Sequence, residues 1–257
     1  STKNAKKFKI LVDGNEQANI DNNLIYNNSK QASISGTLLN DEKEIGNYTK
    51  EVIKKYKNDI NIIPTSARSF NRIKPYLEEL GLLDNFNYTI CFNGALIVNN
   101  KGVELFSSHI SKSTMQELMN LIDKYNIEWM IYTKNELFKR TKIEDINKFI
   151  KDNDTFKLIG TSSEEKIDEI RKELSVMNDK LEITTSMSGR LVIVNKGSTK
   201  ATAVEKIMAR LNIGRENIIA IGDGENDIEM IKNAGYGVAM LNAPEAVKKT
   251  ARMITKY

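Results

Sequence analysis

Ile218-Ile-Ala-Ile-Gly-Asp-Gly-Glu-Asn-Asp-Ile-Glu-Met230 sets a short apolar run directly against a knot of acids. Ile218 to Ile221 has the unbroken apolar character of a parallel strand buried on both faces. Gly222 ends the run, and Asp223, Glu225 and Asp227 follow at once; Ile228 and Ile231 then begin a helical apolar spacing. A strand that delivers carboxylates to its C-terminal end, just ahead of a helix, puts them where open α/β sheets hold their ligands. Hard oxygen donors clustered in that place suit Mg²⁺. The same acids are also common turn residues, and the loop alone does not separate the two readings. An EF-hand is excluded, because the sixth position counted from Asp223 is Ile228 and not glycine.

The rest of the composition narrows the classes. A chain of 257 residues can bury a sizeable core and lies near the length at which domains divide. The net charge of +4 comes from 38 basic against 34 acidic residues dispersed along the chain, so no nucleic-acid footprint is expected. The single cysteine, Cys91, excludes an internal disulfide framework and fits a reducing compartment. With no apolar run of membrane-spanning length and no signal-peptide core after Lys7, a cytoplasmic protein without membrane contacts is expected. One histidine, His109, leaves little scope for Ser-His or Cys-His catalysis and reads as structural.

Working outward, strand and helix alternate at both ends of the chain. Phe8 to Val12 is an apolar strand candidate stopped by Asp13-Gly14, whereas Asn15 to Gly36 is Asn- and Ser-rich and reads as a long loop or weak hairpin. A helix is predicted from about Asn47 with Tyr48, Val52 and Tyr56 on one face, then a strand at Ile60 to Ile63. A second helix carries Phe70, Ile73, Leu77 and Leu80. Tyr88 to Phe92, Leu96 to Val98 and Val103 to Phe106 read as strands, the last two as a hairpin around Asn99 to Gly102. From Ser111 the elements are shorter and mixed, including a capping box at Ser162 and Glu165. Thr199 to Leu211 returns to helix, and a strand at Gly237 to Met240 precedes a last helix opening at Pro244. The pattern predicts an α/β fold, a doubly wound parallel sheet of Rossmann type, with an inserted α+β domain. The divisions expected are a first core part at 1–108, the insertion at 109–186 and a second core part at 187–257.

Four groups then fall at C-terminal strand ends: Asp13-Gly14 or Ser33 to Thr37, Thr65-Ser-Ala-Arg68, Lys200, and the Asp223 loop. Together they resemble the haloacid dehalogenase (HAD) superfamily, type IIB, and most closely its Cof-type sugar-phosphate phosphatases. The resemblance runs from about Gly36 to Lys256. Gly222-Asp-Gly-Glu-Asn-Asp227 is similar to the family's fourth motif, which implies Mg²⁺ ligands at Asp223 and Asp227 and a phosphate contact at Asn226. Ser66-Ala-Arg68 is similar to the second motif, with Ala67 in place of the usual glycine, which implies a phosphate-binding hydroxyl at Ser66. Gly197-Ser-Thr-Lys200 resembles the third motif, whose lysine neutralises phosphate and nucleophile. Asn93-Gly94-Ala95 resembles a hallmark of the Cof branch, and Gly237-Val-Ala-Met240 with Asn242-Ala243 resembles the family's C-terminal signature. The resemblance implies a HAD-like core with an inserted cap that selects the substrate, and a phosphorylated small molecule as ligand.

The first motif departs from the family. Its two aspartates, the nucleophile and the acid/base, stand two residues apart ahead of Gly-Thr-Leu-Leu. Aligned on Gly36-Thr-Leu-Leu39, those positions are Ser33 and Ser35. In a second register Phe8 to Val12 is the central strand, Asp13 takes the second aspartate position and a Mg²⁺ ligand role, and the nucleophile position is Leu11. The polarity of Ser29-Lys-Gln-Ala32 favours the second register, since a polar strand buried on both faces is costly. Neither register places an aspartate at the nucleophile, and the loss removes a metal carboxylate, so weakened Mg²⁺ affinity is expected. The leading expectation is an impaired phosphatase that keeps a phosphate and metal half-site and binds a phosphorylated small molecule or a protein partner. Two alternatives stand beside it: an active Mg²⁺-dependent sugar-phosphate or nucleotide phosphatase with a replacement group, and a structural or interaction module. Ser66 is also placed to cap the helix after it, and Asn93 to orient a loop.

Overall fold

The computed structural model describes residues 29–33, 37–39, 44–84, 88–187 and 189–256, with the backbone alone at 29–33 and 186–187. The chain divides into two units, one of Ser1–Leu105 with Thr199–Tyr257, the other of Phe106–Ser198. In chain order the elements begin with β1 (Ser29–Ser33), α1 (Asn47–Tyr56), β2 (Ile62–Thr65), α2 (Phe70–Glu79), β3 (Tyr88–Cys91), β4 (Leu96–Asn99) and β5 (Glu104–Ser107). The insertion supplies α3 (Lys112–Ile122), β6 (Glu128–Tyr132), β7 (Leu137–Lys139), α4 (Ile146–Asp152), β8 (Lys157–Thr161), α5 (Glu164–Leu174), β9 (Leu181–Met187) and β10 (Arg190–Asn195). The first unit resumes with α6 (Lys200–Leu211), β11 (Ile218–Gly222), α7 (Ile228–Asn233), β12 (Tyr236–Ala239), α8 (Glu245–Lys248) and β13 (Met253–Ile254).

Among the described residues, one sheet has the order β13-β12-β11-β1-β2-β3-β4-β5. From β13 through β3 each pair is parallel, and β4 turns back antiparallel to β3. The chain winds outward from β1 through β2 to β3, and from β11 in the other direction to β12 and β13. Strand order therefore reverses between β1 and β11, the switch point at which such sheets open a crevice at their carboxyl ends. Register makes three strand ends level: Ala32 lies opposite Ile221 on one side, and Ser33 opposite Thr65 on the other.

This arrangement corrects the choice of central strand. Ser29–Ser33, and not Phe8–Val12, lies between β11 and β2; Phe8–Val12 and Asp13 fall outside the described residues. Side-chain polarity points away from Ser29–Ser33, but a strand's place is set by its backbone pairing on both edges and by what anchors its exit. Here the anchor is Thr37-Leu38-Leu39, each buried, directly after the Gly36 that aligned the register. The loop expected over Asn15 to Gly36 accordingly contains a strand.

Helix α2 buries Phe70, Ile73 and Leu77 as its spacing predicts. Each fully buried aliphatic or aromatic side chain contributes about 1.5–3 kcal/mol to the fold. Helix α1 differs from expectation: Ile53 is its buried residue, while Tyr48 is 44% exposed. One residue's step rotates the inward face by roughly 100°, which a three-residue apolar count does not resolve.

The second unit has its own antiparallel sheet, in the order β7-β6-β8-β10-β9. Alternate strand residues, among them Trp129, Ile131, Leu191 and Ile193, join Leu118, Ile122, Ile167 and Ile170 of α3 and α5 in one cluster. Strand β10 pairs with β8 and β9. The unit therefore ends at Ser198, beyond the boundary at 186, because the apolar run Leu191 to Val194 reads equally well as a core strand. The helix cap is Ser163, whose hydroxyl accepts from Lys166 N–H, one residue later than the expected Ser162. Among the described residues no helix is long and apolar enough to cross a membrane.

Candidate functional site

At the end of β11 the chain folds back on itself. A Cβ on Gly222 would lie 2.5 Å from Asp227 Cβ, so only glycine lets the acid close over the strand end. Asp227 is fully buried. Its Oδ1 accepts from Lys200 Nζ at 2.6 Å, and its Oδ2 from Gly224 N–H at 3.0 Å and Asp223 N–H at 3.3 Å. A buried carboxylate is tolerated only with this degree of pairing. Lys200, 2% exposed, is the first residue of α6. A capping box fixes it there: Thr199 Oγ1 accepts from Thr202 N–H, and Thr202 Oγ1 from Thr199 N–H. Caps of this kind contribute about 1 kcal/mol and set where the helix starts.

Asp223 is partly buried, and its Oδ1 accepts the Thr37 hydroxyl in a short hydrogen bond. Burial raises its carboxyl pKa above the ordinary value, and the Asp227 charge adds to the rise. The Thr37 bond and Lys200 oppose it. Thr37 follows β1 in the chain, so the exit of β1 is tied to the exit of β11 by a side-chain bond.

The end of β2 brings Thr65 and Ser66, both buried. Ser66 donates its N–H to Ile90 O at 2.9 Å, and its Oγ accepts from Arg68 N–H at 3.2 Å. It is not the cap of α2, a place taken by Ser69. The Arg68 guanidinium lies over the Tyr76 ring, 5.8 Å from its centroid. Beyond β3 the chain makes a tight turn with Phe92, Asn93 and Gly94 all at positive φ, and Asn93 Oδ1 accepts from Asn226 Nδ2 at 3.1 Å. Left-handed backbone at a bulky residue such as Phe92 costs on the order of 1–3 kcal/mol and persists where its surroundings enforce it.

A family model of the haloacid dehalogenase-like hydrolases matches residues 33–257, from the last residue of β1 onward. The chain belongs to the haloacid dehalogenase-like hydrolases. It is 31% identical, over 86% of its length and 87% of the relative's, to a Bacillus subtilis protein named 5-amino-6-(5-phospho-D-ribitylamino)uracil phosphatase. Its fold is similar to that of a haloacid dehalogenase-like hydrolase from Bacteroides thetaiotaomicron, with a TM-score of 0.77 and 24% identity, covering 97% of this chain and 94% of that one. It is also similar in fold to a HAD subclass IIB sugar phosphatase, with a TM-score of 0.72 and 21% identity, covering 87% and 91% of the two chains.

In this haloacid dehalogenase-like hydrolase the expected site residues are unequally placed. Asp223, Asp227 and Lys200 are joined by hydrogen bonds, and Asn226 is tied to Asn93. Ser66 lies at the end of β2, two strands from β11, linked to the same turn through Asn93 N–H, which donates to Ser66 O at 3.0 Å. Ser33 ends β1, level with Thr65; Asp13 and Ser35 lie outside the described residues. His109 sits in the second unit, 3.8 Å from Asp154 and edge-on to Phe156, in keeping with a structural role. Cys91 is buried, which pushes its thiol pKa up and leaves it inert. The residue that sequence reasoning missed is Thr37, whose signal was its place directly after the glycine that aligned the first motif.

The acids suit Mg²⁺ to a limited degree. Among the described residues no three His, Cys, Asp or Glu side chains converge as a metal cluster. Mg²⁺ is commonly held by one or two carboxylates together with water and phosphate oxygens; Asp223 is only partly buried, whereas both oxygens of the fully buried Asp227 already accept from Lys200 and two backbone N–H groups. A carboxyl whose proton affinity is raised by burial, and further by a second acid, is a group that a cation would relieve.

Proposed function

We propose that this chain is an impaired phosphatase of the family, a cytoplasmic protein that keeps a phosphate- and Mg²⁺-binding half-site but lacks the nucleophilic aspartate. The observation that carries the reading is the contrast at two neighbouring strand ends. The Asp223–Asp227 loop is intact and locked to Lys200, whereas β1 ends in Ser33. In this reading Lys200 and Ser66, with Asn226, take the phosphoryl oxygens of a phosphorylated small molecule. Asp223 and Asp227 would hold Mg²⁺ weakly, and the ion, when bound, neutralises charge on the phosphate. The inserted unit would act as the cap.

The missing component is the attacking group. Phosphoryl transfer needs an in-line nucleophile, and the family places an aspartate there. Ser33 at that place offers a hydroxyl whose attack requires a base, and the one histidine of the chain, His109, belongs to the other unit. Titrating inorganic phosphate in the presence of Mg²⁺ and following the melting temperature tests the half-site. A rise that Asp223→Ala abolishes is expected, since a ligand of the folded state must stabilise it. No shift at millimolar concentrations of both would contradict the reading.

A second reading is an active Mg²⁺-dependent phosphomonoesterase acting through a replacement group. The observation favouring it is the 31% identity to a relative named for phosphatase activity on a phosphorylated ribitylaminouracil. A phosphorylated sugar alcohol or nucleotide-like small molecule is the substrate class it implies.

A further inference from the structure

The turn at Phe92–Gly94 touches each of the three segments that carry the half-site. Its backbone holds the Ser66 turn: Asn93 N–H donates to Ser66 O at 3.0 Å and Phe92 N–H to Arg68 O at 3.1 Å. Its side chain holds the acid loop, where Asn93 Oδ1 accepts from Asn226 Nδ2, next to the buried Asp227. Its glycine abuts the start of α6: a Cβ on Gly94 would fall 2.1 Å from the carbonyl oxygen of Thr199, the residue before Lys200. These contacts require three successive residues at positive φ, 49° at Phe92, 59° at Asn93 and 109° at Gly94. Glycine adopts that region freely and asparagine more readily than most residues, whereas phenylalanine resists it. The Phe92 side chain is fully buried, which holds the unfavourable backbone in place.

We infer that Asn93 is a positioning residue, and that this turn sets the spacing between Ser66, the Asp223–Asp227 loop and Lys200. The inference rests on the half-site reading for its functional meaning and on the geometry alone for its structural one. Asn93 touches no reacting group; it acts through Asn226 and the Ser66 carbonyl.

The test uses the full chain and two variants that cut the same bond from opposite ends. Asn93→Gly keeps the left-handed backbone and removes the acceptor, and Asn226→Ala removes the donor. Amide hydrogen exchange is expected to accelerate in residues 223–227, 66–69 and 199–203 together in both variants, and to stay unchanged at 157–161. Asn93→Asp, which retains an acceptor oxygen, is expected to restore wild-type exchange. Binding of inorganic phosphate with Mg²⁺ should weaken about two- to fivefold in Asn93→Gly, the worth of one partly exposed hydrogen bond. Exchange that is unchanged, or that rises only at 92–95, would overturn the inference. A wild-type protein that gains no stability from phosphate and Mg²⁺ would sink the half-site reading instead, and the exchange result would still decide the positioning role.

Discussion

The exits of β11 and β1 are neighbours in register and opposites in chemistry. At β11 a buried acid is saturated by Lys200 and two backbone N–H groups. At β1 the strand ends in Ser33, and Thr37 beyond it bonds to Asp223. The difference shows what each set of groups does for the fold. Removing one partner of a buried ion pair strands the other charge without solvent, so the Asp227–Lys200 side resists change for structural reasons alone. The exit of β1 is anchored instead by the buried Thr37, Leu38 and Leu39. The acid loop is therefore held by the framework of the fold as well as by any chemistry it serves.

The contrast can be broken most severely from the β11 side. Lys200→Met leaves Asp227 buried and unpaired, and is expected to cost about 3–5 kcal/mol in denaturant unfolding. Replacing both partners with apolar residues of similar volume should recover most of that loss. A cost for Lys200→Met below about 1 kcal/mol would mean that the pair is solvated.

Thr37→Val cuts the side-chain link between the two exits. A hydrogen bond to a charged group contributes about 1.5–3 kcal/mol. Because the Thr37 bond holds the Asp223 pKa down against burial, its loss should push that carboxyl further up. A folded-state pKa raised above the unfolded value penalises the folded protein where the carboxyl must ionise. The deficit should thus be full at neutral pH and shrink as pH falls through the raised pKa. Stability curves of the variant and wild type between neutral and acid pH check both size and direction; parallel curves would deny the link.

Thr199→Ala removes the capping box ahead of Lys200 and is expected to cost about 1 kcal/mol by denaturant melting. The smallest effect is that of the metal itself. Millimolar Mg²⁺ should raise the melting temperature of wild type by a degree or two, on the order of 0.5 kcal/mol for a ligand near its dissociation constant. Asp223→Asn should remove that rise.

The acid loop and Ser66 were legible in the sequence because each follows an apolar strand in a short motif, and Lys200 because it stands in such a motif, although it begins α6 and does not end a strand of the parallel sheet. The parallel sheet was legible from the apolar run at Ile218 to Ile221. The first strand was misread for a physical reason: Ser29-Lys-Gln-Ala-Ser33 is polar, and its central place comes from backbone hydrogen bonds on both edges, which leave no trace in side-chain hydropathy. The bridges from Thr37 to Asp223 and from Asn93 to Asn226 span 186 and 133 positions in the chain. Contacts that distant become visible only once the strand order is known.

The most direct test of the account is hydrolysis of a generic phosphomonoester with Mg²⁺, comparing wild type, Asp223→Ala and the double variant Ser33→Asp with Ser35→Asp. Wild type is expected to match Asp223→Ala at background, with Mg²⁺-dependent turnover appearing only in the double variant. Wild-type turnover that Asp223→Ala abolishes would contradict the claim that the nucleophile is gone.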